Sequence, residues 1–401
     1  MLEIVASIYF LYVFSKLYIS ASEIGYVKKA RLLPAIILES ENYQKAADYK
    51  IVNEKFDIVT NLYDYAIFLM WIIFGLGALE GLIITDGGVL QSTLFVLAFI
   101  AINYVLTLPF EIYHTFVIDK KFGFTTIDTK TFILDSIKSA VLFLLLGGAI
   151  IALIAWIIGS FSMWWIWSFV AVFIVILFIN MLYPTLIAPL FNKFSPIEDG
   201  ELKNSIIDLM QKAGLKSSGI FTMDASKRDN RLNAYFGGLG KSKRVVLYDT
   251  LIKKLETKEL LAVLGHELGH FKHKDIIKNI FSMAMILFIL FAIFGNLPNG
   301  IYEALNMQSG AHSTIAIFLL LSSVVSFIMM PILGWFSRKH EYAADEYGSE
   351  CVSKEALASA LMKLADENKS FPRSCYLYTV FYHTHPPLVE RLKALGVDTD
   401  K

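Results

Sequence analysis

Charge is scarce in this 401-residue chain, and the charge present cancels. Asp, Glu, Lys and Arg make up 18% of residues, against roughly 25% in a soluble domain. The 36 basic side chains match 36 acidic ones. No net field draws in nucleic acid, so no nucleic-acid partner is expected. Cysteine is almost absent. Cys351 and Cys375 allow one bridge at most, which excludes a disulfide framework and suits a reducing compartment. Only eight histidines occur, yet three of them fall within G-H-E-L-G-H-F-K-H at 265–273. Apolar residues are in excess, at 56% against roughly 45–50% in soluble domains. That balance points to a polytopic membrane protein.

Seven apolar stretches approach or reach the roughly 20 residues a membrane-crossing helix needs. They are 2–22, 62–84, 91–111, 139–160, 164–190, 276–297 and 313–336. The first starts at Leu2 without a basic stretch or a cleavage site, and reads as a retained span rather than a signal peptide. Pro184 and Pro189 predict a kink or stop in the fifth. The intervening segments alternate in charge: 23–61 carries six Lys or Arg, 85–90 none, 112–138 four, 298–312 none. The segments 191–275 and 337–401 are Lys-rich or basic. By the positive-inside rule the N-terminus lies outside, and those last two segments share the cytoplasmic side. The chain therefore divides into 1–190 with five helices, 191–275, 276–336 with two more, and 337–401.

The polar segment 191–275 can form a small α+β subdomain. Residues 200–214 have helical spacing, with Gly214 as C-cap. I-F-T-M-D reads as a short strand. The stretch from Asn233 to Thr250 reads as two strands around a Gly/Lys/Ser turn. Helical pattern resumes over 257–275, with Thr257 as candidate N-cap. On that helix His266-Glu267-Leu268-Gly269-His270 matches H-E-x-x-H. Positions i and i+4 put both imidazoles on one face, close enough to share a Zn²⁺, with Glu267 placed to take a proton from water. His273 lies too far along the axis to share that metal. It reads as a solvated or interface histidine.

Catalytic zinc needs a third protein ligand. The metzincin extension is excluded, because His273 and Ile276 occupy its glycine and histidine positions. Glu341 and Asp345 lie i, i+4 in R-K-H-E-Y-A-A-D-E-Y. Alone, two such carboxylates suit a charged surface equally well. On the same side of the membrane as H-E-x-x-H, Glu341 reads as the third ligand and Asp345 as the acceptor fixing an imidazole tautomer. His340 points elsewhere. In Y-H-T-H-P-P-L-V-E-R-L, Pro386 and Pro387 start a helix. His385 and Arg391 there either steady a developing oxyanion or belong to an ordinary surface helix.

Together these blocks resemble the type I CaaX prenyl endoprotease family, integral-membrane zinc metallopeptidases of the gluzincin type. L-P-F-E-I-Y-H-T-F-V-I-D-K-K-F-G-F (108–124), Y-P-T-L-I-A-P-L-F-N-K-F (183–194) and N-A-Y-F-G-G-L-G (233–240) are also similar to family blocks. The resemblance spans nearly the whole chain. It implies an all-α polytopic membrane protein whose seven helices enclose a chamber, with the zinc-metalloprotease subdomain at its cytoplasmic face. It implies His266, His270 and Glu341 as ligands of one Zn²⁺, Glu267 as general base and Asp345 behind a ligand. His385 and Arg391 are implied near the reacting carbonyl. Asn233, Ala234 and Tyr235 match a substrate-binding edge strand. A peptide or protein substrate, possibly prenylated, the bilayer, and a monomeric state are expected.

Two departures stand out. Where many relatives carry a Ser- and His-containing stretch, this chain has R-D-N-R-L at 228–232, so Arg231 and Leu232 are expected to alter the groove. The ending V-D-T-D-K lacks a dibasic retrieval signal, which suggests a prokaryotic plasma-membrane homologue. Other activities remain in view. One is general quality-control proteolysis without a prenyl requirement. Another is a transporter with a structural metal, disfavoured by spans whose interiors hold few charges besides Lys16 and Glu80. A site-2-type protease is disfavoured because T-D-G (85–87) precedes the histidines and falls in an outside loop.

Overall fold

A computed structural model describes residues 1–215, 219–237 and 244–399. Seven of its helices are long and apolar enough to cross a membrane. Five come first: α1 (Leu2–Ala30), α2 (Ser40–Ile83), α3 (Val89–Asp119), α4 (Thr129–Ser160) and α5 (Trp164–Leu190). The polar segment then supplies β1 (Phe194–Pro196), α6 (Glu201–Lys212), β2 (Ile220–Met223), β3 (Ala234–Gly237), β4 (Arg244–Tyr248), α7 (Asp249–Lys254) and α8 (Thr257–Lys272). Membrane helix α9 (Asp275–Phe294) follows, then short α10 (Asn299–Ala304) and the 41-residue α11 (Ala311–Cys351). Helices α12 (Lys354–Glu367), α13 (Tyr376–Tyr382) and α14 (Leu388–Ala394) complete the chain.

The seven-span count matches the sequence, but the helix ends do not. Helix α2 starts 22 residues before the apolar stretch at 62 (62 − 40 = 22), and α11 runs past 336 to Cys351. Hydropathy marks only the lipid-facing length. A helix satisfies its own backbone and so continues into the polar layer. Glu341 therefore rides on the same rigid helix as the seventh span. The longer helices also carry more charge than expected: Glu23, Glu54 and Asp57 lie on α1 and α2. As the prolines predict, regular α-helix in α5 ends at Leu182 and passes into a π-helical turn.

The two largest of several buried clusters hold most of the fold. Phe68, Trp71, Leu76, Phe95, Val96 and Ile317 pack between the membrane helices. Ile206, Val245, Leu247, Leu251, Leu260 and Leu268 join the sheet to α6, α7 and α8. The sheet order is β1-β2-β4-β3, with β2 and β4 parallel and the other pairs antiparallel. Strand β1 and the parallel pairing were not legible from local pattern. The Gly/Lys/Ser turn and the last residues of the 233–240 block lie outside the described residues. Gly214 sits just past α6 at φ +69°, the left-handed cap expected of it. Helix α8 is capped one residue earlier than expected. Glu256 is the N-cap, and its backbone N–H donates to Glu259 at 2.8 Å, so Thr257 is already the first helical residue.

Candidate metal centre

Small residues let α8 and α11 cross almost backbone to backbone. A Cβ added at Gly269 would lie 2.8 Å from Ala344 Cα. One at Gly348 would lie 2.7 Å from His266 N. Gly265 and Gly269 on one helix face Ala344 and Gly348 on the other, a four-residue spacing of small side chains on both. Glu341 and Asp345 precede Gly348 by seven and three residues, hence lie on the same face of α11. The crossing thus sets both carboxylates against the H-E-x-x-H helix.

His266, His270 and Glu341 each bring one donor atom into a cluster less than 4.8 Å across. His266 Nε2 lies 3.4 Å from Glu341 Oε2, and His270 Nε2 lies 3.2 Å from Glu341 Oε1. Glu341 is buried, at 4% exposure, and its Oε2 has no hydrogen-bond partner. Each imidazole is held from behind. His266 Nδ1 is 2.8 Å from Asp345 Oδ1, and His270 Nδ1 is 3.0 Å from Asp275 Oδ2. With both Nδ1–H groups donating to carboxylates, both Nε2 atoms face the cluster and supply lone pairs once deprotonated. Two imidazoles and a carboxylate, with a buried acceptor left unpaired, fit a divalent metal.

Asp275, at the start of α9, was not singled out from the sequence. It is buried, receives Lys278 Nζ at 2.8 Å, and lies 3.7 Å from His340 Nε2. Its spacing from His270 crosses a helix break, where Lys274 adopts φ +59°. No i, i+4 pattern could have found it. His340 approaches Asp275 and lines the same pocket as Glu267, His270 and Glu341, without joining the donor cluster. His273 caps α8 with its ring edge-on to Tyr347.

Arg391 Nε and Nη2 grip Asp345 at 2.8 and 2.6 Å. Two of its three nitrogens are thus spent on that carboxylate. This differs from a guanidinium aimed wholly at a substrate carbonyl. His385 is closer to the reaction space: its side chain is 60% exposed, and its Nε2 lies 3.4 Å from Glu341 Oε1. Thr384 Oγ1 touches the other nitrogen, Nδ1, at 3.0 Å. Glu267 lines pockets on both sides of the donors. Burial pushes its carboxyl above the usual range. Burial alone would lower the His270 pKa, but hydrogen bonds to Glu341 and Asp275 prevail and raise it to about 9 in the metal-free chain.

Among the described residues, strand β3 is at the sheet edge and pairs only with β4. Asn233 and Ala234 line a pocket of about 190 Å³ with His266, Glu267 and His385. Tyr235 points the other way, packing with Met223 and Val246 on the far face of the sheet. Phe236, which the sequence did not nominate, lines the Glu267 pocket instead. Strand alternation, 234 and 236 against 235, carried that signal. Leu232 lines the pocket of about 190 Å³, as expected, whereas Arg231 does not reach it. Arg231 binds Asp119 at 2.9 Å and lies over Phe124, tying the sheet region to α3. Leu232 is buried, its backbone held by the Asn368 side chain.

With this geometry in hand, comparisons with known proteins agree on one kinship. Peptidase family M48 matches residues 196–397. A second description, CAAX prenyl protease N-terminal, five membrane helices, matches residues 25–193. A CAAX prenyl protease 1 homolog of Dictyostelium discoideum is 33% identical over 94% of this chain and 90% of its own. CAAX prenyl protease 1 of Saccharomyces cerevisiae is 31% identical over 92% and 89%. The crystal structure of S. mikatae Ste24p superposes with a TM-score of 0.89 at 30% identity, covering 98% of both chains.

Proposed function

The chain belongs to peptidase family M48, and on that premise we propose that it is a zinc-dependent membrane endopeptidase. It would trim C-terminal peptides of the CaaX type, as the names of its relatives suggest. The observation that carries this is the donor cluster: two back-tethered imidazoles and a buried carboxylate with one oxygen unpaired. His266, His270 and Glu341 would hold one Zn²⁺. Bound there, zinc supplies Lewis acidity, lowering the pKa of a water toward about 7 and polarising a carbonyl.

The chain's own groups do the rest. Glu267, with its raised proton affinity, accepts a proton from the attacking water and returns it to the leaving amine. In the tautomer that accepts from Thr384 at Nδ1, His385 carries its proton on Nε2 and would donate to the oxyanion as charge develops. Arg391 is a positioning residue: it holds Asp345, which holds His266. The free edge of β3 pairs with the substrate backbone, extending the sheet beside the metal. The basic segments on either side of α9 and α11 support a reading in which this site faces the cytoplasm. All the named donors come from one chain, so a monomer suffices.

The test is cleavage of a CaaX-type peptide by protein reconstituted in liposomes. A zinc chelator should abolish it, and added zinc should restore it. Undiminished cleavage by protein shown to be metal-free would refute the proposal.

A further inference from the structure

Asn368 holds the chain just ahead of β3 as a neighbouring strand would. Its Oδ1 accepts from Leu232 N–H at 2.8 Å, and its Nδ2 donates to Leu232 O at 3.1 Å. One side-chain amide thus satisfies both the N–H and the C=O of one residue, the exchange that two residues make across an antiparallel pair. Peptide groups alternate in direction along a strand. Asn233 O accepts from Tyr248 N at 3.1 Å, so Asn233 turns its peptide groups toward β4. Leu232, Ala234 and Phe236 then turn theirs toward the edge. The Ala234 N–H rests on the Asn233 side chain at 2.8 Å, a bond that an incoming carbonyl can replace. Ala234 and Phe236 line the two pockets that meet at Glu267. The slot at Leu232 is already filled.

The helix that packs on the H-E-x-x-H helix puts Asn368 there. Asn368 ends α12, where Lys369 turns left-handed at φ +46° and Ser370 N returns to Ala365 O at 2.8 Å. Leu357, Ala358 and Leu361 of α12 are buried with Ala262 of α8. Ser359 Oγ and Lys363 Nζ donate to Glu259 of α8 at 2.6 and 2.8 Å. Helix α8 therefore carries two of the donors and, through α12, sets where the edge strand begins. The grip is on backbone and does not depend on the side chain at 232.

We propose that Asn368 is a positioning residue for proteolysis: by holding Leu232 and filling the slot there, it leaves a substrate backbone only the slots at Ala234 and Phe236, and so fixes which peptide bond meets the donor cluster. The inference rests on the peptidase assignment above. The two open slots are about 6.8 Å apart, two residues of strand. Without the stop at Leu232, a bound peptide can slide by one slot, which keeps its side chains on the same faces; a slip of one residue would turn them all over.

The experiment reads the products of one CaaX-type peptide by mass spectrometry, with zinc content measured for each protein. Wild type should cut a single bond. Asn368→Ala should hold as much zinc, lose about ten- to hundredfold in kcat/KM as the strand loosens, and give a second product cut two residues from the first. Asn368→Asp keeps the acceptor for Leu232 N–H and still fills the slot, so it should restore the single cut at a reduced rate. If Asn368→Ala does not fold, Asn368→Ser, too short to fill the slot, takes its place with the same expected products. Cleavage at the wild-type bond alone in the shortened variant would overturn the proposal, whatever the rate, because a merely structural loss lowers the rate without moving the cut. If the wild-type chain cuts no peptide, the peptidase reading fails instead. The clamp is then judged on retention of the same peptide by the uncleaving protein: weaker retention in Asn368→Ala supports it, and equal or absent retention refutes it.

Discussion

Gly348→Ala adds one methyl group where two helices leave no room. The new Cβ would lie 2.7 Å from His266 N, 3.0 Å from its Cα and 3.2 Å from Ala262 O. Ordinary contact begins at 3.4 Å, so the helices must part by at least 0.7 Å (3.4 − 2.7). The neighbours are backbone atoms, which no rotamer change can move aside. Overpacking of this kind costs about 1–3 kcal/mol. More telling is where the strain falls. His266 sits on one helix and Glu341 on the other, with donors 3.4 Å apart. A misplacement near 1 Å costs on the order of 10²-fold in rate. The expected result is a ten- to hundredfold loss in kcat/KM and weaker zinc binding, in protein that still inserts in membranes. Gly81→Ala is the control, since nothing lies within 4 Å of its Cβ position. Wild-type activity and zinc affinity in Gly348→Ala would show that the close crossing does not set the site.

Three further outcomes follow from particular contacts. His270 holds a proton up to about pH 9 in the metal-free chain, while a metal ligand must be neutral. Below that pH zinc uptake must expel the proton, so the apparent zinc Kd should rise about tenfold per unit of falling pH; a flat profile by chelator competition between pH 6.5 and 8 would contradict this. Arg391→Lys cannot reproduce the two-point grip on buried Asp345; removing a buried partner costs about 3–5 kcal/mol, so thermal unfolding should shift down clearly, and an unchanged Tm would argue against the clamp. Glu80 accepts from Gln308 N and sits 2.5 Å from His312 Nε2 at the far end of the bundle. Glu80→Ala should lower Tm while leaving the zinc Kd and cleavage as in wild type, and a matching loss of activity would mean that the two ends are coupled.

What the sequence disclosed follows from the range of each signal. The seven spans were legible because lipid demands long apolar runs, and H-E-x-x-H because one helix turn brings i and i+4 together. Glu341 and Asp345 were legible for the same reason, once charge alternation put both segments on one side. Asp275 was hidden by the left-handed Lys274 between it and His270. The glycines at 265, 269 and 348 look unremarkable singly; their meaning lies in a partner helix some eighty residues away (348 − 266 = 82). Tyr235 shows the converse. A block resemblance nominated it as part of a backbone-binding edge strand; strand alternation turns its ring from the pocket and presents that of Phe236, while the backbone role stays a proposal.

The most direct test of the account is the cleavage rate of Glu267→Gln protein whose zinc content has been measured. Glu267 lines the pocket without belonging to the donor cluster. The account predicts one zinc per chain, as in wild type, with peptide cleavage reduced by at least about 10²-fold. Cleavage at the wild-type rate by the zinc-loaded variant would contradict it.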